Sequence, residues 1–161
     1  MTVLRTERLE LRPAGVDDVV ELVAHWNRPE VRRYLFDDGE VSAGLASMLL
    51  RDSDADFAHY GYGLWKAYLG AELIGMCGLR RHEDGRVEII YSLDPEHRGA
   101  GLATEAARTV LAWGRRVGLT EILVETDEGN LASQRLAQRL GAVAEQAEGG
   151  LRRYVVPLGE D

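Results

Sequence analysis

Residues 98–104, Arg-Gly-Ala-Gly-Leu-Ala-Thr, place one guanidinium, two glycines and a hydroxyl just ahead of an alanine-rich run. Where a strand ends and a helix begins, the first backbone N–H groups of the helix have no intrahelical partner. Gly99 and Gly101 permit unusual dihedrals and carry no Cβ to block a ligand, so those N–H groups can converge on an anion at the positive helix end. Arg98 adds a full charge in a planar fork suited to phosphate oxygens, and Thr104 adds a hydroxyl. The chemistry implied by residues 98–104, Ala100, Leu102 and Ala103 included, is the grip of a pyrophosphate. Glycines also start helices after plain tight turns, and a bare G-x-G does not separate the two readings. A dinucleotide-binding G-x-G-x-x-G is a third reading, with Thr104 in its sixth position and Glu121 at a tolerable spacing for a ribose. That motif normally opens a parallel sheet, whereas this one follows antiparallel strands. The only lysine is Lys66, so none follows a glycine-rich loop and a P-loop nucleotide hydrolase is excluded.

Such a joint needs a strand before it and a helix behind it. The run GRVEIIYSLD (85–94) reads as the strand, and residues 102–117 as the helix, with Ala106, Ala107, Val110, Leu111 and Val117 on its inner face and Gly118 as its stop. Two further strand-like runs precede them, HYGYGLWKAYLG and AELIGMCGLRR. Turns at Leu69-Gly70 and Glu83-Asp84-Gly85 make the three an antiparallel meander. Upstream, VLRTERLELRP alternates as an opening strand closed by Pro13. VDDVVELVAHW carries Val16, Val19, Val20, Val23 and Ala24 at helical spacing, with Asp17 and Asp18 at its positive end. Pro29 starts a short helix, Ser42 caps another, and DSDADFAHY (52–60) reads as a loop. Downstream come the strand TEILVET, the helix LASQRLAQRL stopped by Gly141, and two closing strands, AVAEQAE and LRRYVVPL. The order predicts a mixed α/β (α+β) domain, with a mostly antiparallel sheet, one parallel crossover over 87–126, and helices at its flanks.

The 161 residues, 45% hydrophobic and 29% charged, suit one domain over 1–161 with a real core. The net charge of −8 argues against nucleic acid as a partner. The N-terminal residues show no signal-peptide or membrane-length apolar run, so no membrane is expected and the location expected is cytoplasmic. The lone Cys77 builds neither a disulfide framework nor a zinc site and reads as a small buried hydrophobe. His25, His59, His82 and His97 are scattered without ligand spacing, so no metal is expected. Trp65 and Trp113 read as core. Monomer and homodimer both stay open.

Taken together, Arg98-x-x-Gly101-x-Ala103 opening a helix, YSLDPEHRGAGLATEAARTVLAWG around it and DEGNLASQRLAQRLGA near the end resemble the GNAT superfamily of N-acetyltransferases, in particular the branch that acetylates ribosomal-protein N-termini. The opening TERLELRP and the segment HWNRPEVRRYL extend the likeness over most of the chain. The resemblance implies the GNAT fold and a ternary complex in which an amine attacks the thioester of acetyl-CoA, the cosubstrate. Residues 98–104 would then hold the coenzyme. The backbone near Leu93 would hydrogen-bond the acetyl carbonyl and the pantetheine arm. Glu88 matches a position where relatives often carry a glutamate and would be the general base, directly or through water; a solvent-facing strand charge is its other reading. Asn130 would contact the pantetheine arm, although it is also a good N-cap, and Ser133 would protonate the thiolate. Many relatives place a tyrosine acid seven residues after that asparagine, where this chain has Ala137. Ala142 likewise stands where relatives have an aromatic. The acceptor, a peptide N-terminus or small-molecule amine, would meet Asp37, Asp38, Glu40, Asp52, Asp54, Asp56, Glu145 and Glu148, with Trp26, Tyr34 and Phe36 nearby, by long-range steering. A catalytically silent acyl-CoA-binding domain would share the loop and lack the turnover.

Overall fold

The computed structural model describes residues 2–36, 38–146 and 148–159. The opening run is not one strand. Leu4–Arg5 (β1) and Glu10–Pro13 (β2) fold back on each other, Leu4 opposite Leu11 and Arg5 opposite Glu10. The reversal is local: Thr6 N–H donates to the Leu9 carbonyl at 2.9 Å, and Leu9 N–H donates to Thr6 Oγ1 at 2.9 Å. A threonine-assisted turn of this kind leaves the alternation of residue types intact, so periodicity alone hides it.

A 3-10 turn at Val16–Asp18 leads into α1 (Val19–Trp26). Its inner face is Leu22, His25 and Trp26, while Val16, Val20 and Ala24 are exposed and Val19 and Val23 sit at the flank. Burying an indole and a leucine removes more apolar area from water than burying two valines, and that difference sets the rotation of the helix. α2 (Pro29–Leu35) starts on its proline. α3 (Ala43–Tyr60) is capped by Ser42 Oγ, which accepts from Leu45 N–H at 3.0 Å, and it runs straight through the acidic stretch expected to be a loop. Leu50, Ser53 and Phe57 recur on its buried side, so the carboxylates occupy the other faces.

β3 (Leu64–Leu69), β4 (Glu72–Arg81) and β5 (Val87–Leu93) form the antiparallel meander. Gly75 lies opposite Leu93 so closely that a Cβ there would stand 2.0 Å from the Ser92 carbonyl oxygen. α4 (Leu102–Arg116) crosses over to β6 (Glu121–Asp127), which lies parallel to β5. α5 (Leu131–Arg139), β7 (Val143–Glu145) and β8 (Leu151–Pro157) complete the chain. β7 covers Val143–Glu145 of the expected AVAEQAE strand, whose Ala147 lies outside the described residues, and its Val143 is exposed. The sheet order is β1-β2-β3-β4-β5-β6-β8-β7.

Each face of the sheet carries its own core. One, beneath α4, includes Trp65, Ile74, Cys77, Ile89, Leu93 and Val110; the other, beneath α1 to α3, includes Leu22, Trp26, Val41, Leu50, Leu64 and Met76. Trp113 is only half-buried, its N–H donating to the Gly61 carbonyl at 2.8 Å. No described helix is long and apolar enough to cross a membrane.

Candidate functional site

β5 keeps its ladder with β4 from Val87 to Leu93, but with β6 only at Glu88 opposite Leu123. Beyond Glu88 the parallel pair parts. A cleft of about 2020 Å³ opens there, bounded by β5, the end of β6 and the N-termini of α4 and α5 on one side, and by α2, α3 and the β4–β5 turn on the other. A pocket for one small ligand measures roughly 300–1,000 Å³, so this cleft has room for two.

The strand edge facing the cleft carries free donors. Asp94 N–H donates to the Ile74 carbonyl at 2.8 Å. Alternation along an antiparallel strand then turns the Leu93 and Tyr91 amides away from β4, toward the edge that β6 has left. At the next joint Gly99 and Gly101 sit at φ 84° and 80°, the left-handed region that favours glycine. Among the described residues no protein group accepts from the amides of Gly99 to Thr104, whereas Arg98 N–H is engaged by the Pro95 carbonyl at 3.2 Å. The loop is braced from behind by a residue the sequence did not single out. Arg8 Nη1 donates to the Ala100 carbonyl at 3.0 Å and Arg8 Nε to Glu105 Oε1 at 2.9 Å, while Thr6 Oγ1 also bonds Glu105. Gly99, Gly101, Leu102, Ala103 and Thr104 line the cleft; Ala100 does not. Arg98 reaches across to α2, where Nη2 donates to the Glu30 carbonyl at 3.0 Å. Arg8, Arg108, Arg135 and Arg139 also line this end, so a chain of charge −8 presents a cationic mouth to an anion. Arg135 and Arg139 stand one helical turn apart, and Arg108 one turn after Thr104; that spacing was the signal available in the sequence.

The opposite end is acidic. Asp52, Asp56, Glu83 and Asp84 line it, together with Arg80 and Arg81. Of the carboxylates expected to face an acceptor, only Asp52 and Asp56 do so. Asp38 pairs with Arg32 at 3.4 Å, Asp54 lies beside Gly15, Glu145 pairs with Arg86 at 2.7 Å, and Glu40 and Glu148 lie off the cleft. Asp37 is outside the described residues. The aromatic wall is present: Trp26, Tyr34 and Phe36 line the cleft, the Trp26 and Phe36 rings meeting edge-on at 5.5 Å.

Glu88 stands between the two ends, 9% exposed. It is therefore not a solvent-facing strand charge. His82 Nε2 lies 3.0 Å from its Oε1. Burial raises its pKa above the ordinary carboxylate value and the Glu125 charge raises it further, against a lowering pull from His82. On α5, Asn130 caps the helix by accepting from Ser133 N–H at 3.2 Å through Oδ1. Its side-chain N–H groups have no acceptor among the described residues, so cap and ligand contact are compatible. Ser133 Oγ lies 2.6 Å from the Tyr91 hydroxyl, a partner the sequence did not disclose.

One cleft thus holds a glycine joint of unbonded amides among arginines, strand amides turned to a free edge, and a buried carboxylate. A model of the GNAT acetyltransferase domain matches residues 8–143. The chain belongs to the GNAT acetyltransferase family. It is 31% identical to the uncharacterized N-acetyltransferase p20 of Bacillus licheniformis, over 96% of this chain and 88% of that protein. Its fold matches an acetyltransferase of Agrobacterium tumefaciens with a TM-score of 0.84 at 23% identity, covering 96% of this chain and 94% of that one. It also matches RimL, a ribosomal L7/L12 alpha-N-protein acetyltransferase solved with coenzyme A, with a TM-score of 0.81 at 20% identity, covering 97% and 98%. At those identities the likeness to the solved structures is one of fold.

In this GNAT chain Ala137 is fully buried, so that position offers no acid. The sequence also hid a chain from α1 to the end of β5. His25 Nδ1 lies 2.7 Å from Asp94 Oδ1, and its Nε2 lies 2.8 Å from Ser92 Oγ. Burial lowers the His25 pKa, against the pull of Asp94, so the ring is held neutral. Arg28 adds a second contact to Asp94 at 3.1 Å. The result fixes the strand that carries Glu88 and Leu93. Glu72, Glu96 and His97 bring three ligand-type atoms within 4.8 Å of one another, away from Glu88.

Proposed function

We propose that the chain is a single-domain acetyl-CoA-dependent N-acetyltransferase over residues 1–161, moving an acetyl group to a primary amine by direct attack within a ternary complex. Acetyl-CoA is the cosubstrate. The observation that carries the reading is the polarity of the one cleft: a cationic, amide-lined end and a carboxylate-lined end meet at Glu88 and the Leu93 amide. The pyrophosphate lies on the amides of Gly99 to Thr104, with Arg98 and Arg8 beside it. Asn130 orients the pantetheine arm. The Leu93 N–H donates to the acetyl carbonyl, where negative charge develops during attack.

The acceptor arrives as an ammonium and must lose a proton before it can attack. Glu88 takes it, and His82 connects Glu88 to solvent. Its raised pKa brings the base closer to neutral pH, where proton transfer is more effective. The attacking nitrogen forms the C–N bond, the C–S bond breaks with its electron pair staying on sulfur, and the second proton of that nitrogen leaves to solvent by the same Glu88–His82 route once the first has passed on. Both a peptide N-terminus and a small-molecule amine fit the acidic end. Thiol release from acetyl-CoA, measured against N-terminal peptides and a panel of small amines, tests the reading. Coenzyme A release that depends on one class of amine is expected. Acetyl-CoA binding without release for any amine would instead make the chain a silent acyl-CoA-binding domain.

A further inference from the structure

We propose that Tyr91 positions the departing sulfur's partner: its phenol donates to Ser133 Oγ and thereby leaves the Ser133 hydroxyl hydrogen free to bond the coenzyme A thiolate as the thioester breaks. The inference rests on the cofactor reading above and adds to it a residue and a role. Tyr91 lies on β5 two residues before Leu93, on the same face of the strand and beside the same unpaired edge. Ser133 lies in the first turn of α5, and both residues line the cleft. Their oxygens are 2.6 Å apart.

The direction of the bond follows from acidity. A phenol is the better donor and an alkyl alcohol the better acceptor, and the Tyr91 hydroxyl has no other partner among the described residues. Ser133 makes no bond back to a helix carbonyl, the usual competitor for a serine hydrogen inside a helix. Its hydrogen is therefore available to the cleft.

Magnitudes decide between donating a hydrogen bond and donating a proton. Burial pushes the Tyr91 pKa up to about 12, against about 8.5 for an ordinary thiol. Moving the phenol proton to the thiolate would run uphill by more than three units, and a serine hydroxyl is a weaker acid still. The pair therefore holds the thiolate through a charge-assisted hydrogen bond, Tyr91 keeps its proton, and sulfur is protonated by solvent after release. This replaces the expectation that Ser133 is the acid. The other groups that act on Tyr91 do not compete: Cys77, opposite it on β4, is a buried thiol pushed up to about 12 and stays neutral, and Glu88, on the other face of β5, is engaged by His82.

The test compares the affinities of coenzyme A and desulfo-coenzyme A, identical but for sulfur, between pH 7 and about 9.5, across the ordinary thiol range. For the wild-type chain the preference for coenzyme A should grow with pH to about tenfold, the size of one charge-assisted hydrogen bond. Ser133→Ala should abolish that growth. Tyr91→Phe should cut it severalfold without changing the affinity for desulfo-coenzyme A. Replacing Tyr91 with a fluorinated tyrosine, a stronger donor of nearly the same volume, should increase it and guards against a phenylalanine variant that does not fold. A wild-type preference in Tyr91→Phe, or equal weakening of both ligands, would overturn the proposal. Failure of the wild-type chain to bind either ligand would remove the cofactor reading itself.

Discussion

Glu88 sits between a histidine that favours its charge and a second carboxylate, Glu125, that opposes it, in a site nearly closed to water. Desolvation is the largest of the three influences, so the carboxyl is a stronger base than one in solution. Glu88→Gln keeps the volume and removes the base. Turnover should fall about 10²-fold or more, the usual contribution of a general base, with the acetyl-CoA dissociation constant unchanged. In the wild-type enzyme kcat/KM should fall on the acid side at a pH above the ordinary carboxylate range, because the raised pKa protonates Glu88 early. Rapid-reaction kinetics over a pH series would check both, and unaltered turnover in Glu88→Gln would remove Glu88 from the mechanism. Glu88 was noticeable from its place in the strand before the glycine joint, but its environment was not. His82 is only six residues away, across the β4–β5 turn, yet Glu125 comes from a strand brought alongside by the crossover, which no local pattern records.

Among the elements, α1 matters to the site because His25 bonds both Ser92 and Asp94 at the end of β5. Its folded-state pKa is depressed from the ordinary 6.5, with burial the main cause and Arg28 and Arg98 adding to it against Asp94. The unfolded chain therefore takes up the proton first, and stability present above pH 6.5 is lost as pH falls below it, by at most about 1.4 kcal/mol per pH unit. Thermal unfolding between pH 7.5 and about 5 should show that loss, and His25→Gln, which does not titrate, should show a shallower one. Equal slopes would mean that the histidine is not held neutral. Element types were legible where one signal dominated: the meander from its turns, α4 from its glycine joint and inner face, α5 from its cap. They were obscured where signals conflicted. Six acidic and polar residues hid the second half of α3 because only Ser53 and Phe57 turn inward there, and a threonine turn hid the β1–β2 reversal.

At the scale of the molecule, the fold gathers into one end of the cleft arginines spread through the chain, from Arg8 to Arg139, and sets carboxylates from α3 and the β4–β5 turn at the other. The glycine joint was readable because its residues are contiguous; the charge separation was not, because it depends on which helix faces project into one cavity. Coenzyme binding in this cleft depends first on the joint. Amide resonances of Gly99 to Thr104, followed by nitrogen–proton NMR as acetyl-CoA is added, test it most directly. Saturable downfield shifts concentrated in those amides and in Leu93 are expected, since each gains an acceptor. Binding that leaves those resonances in place while shifting others would contradict it.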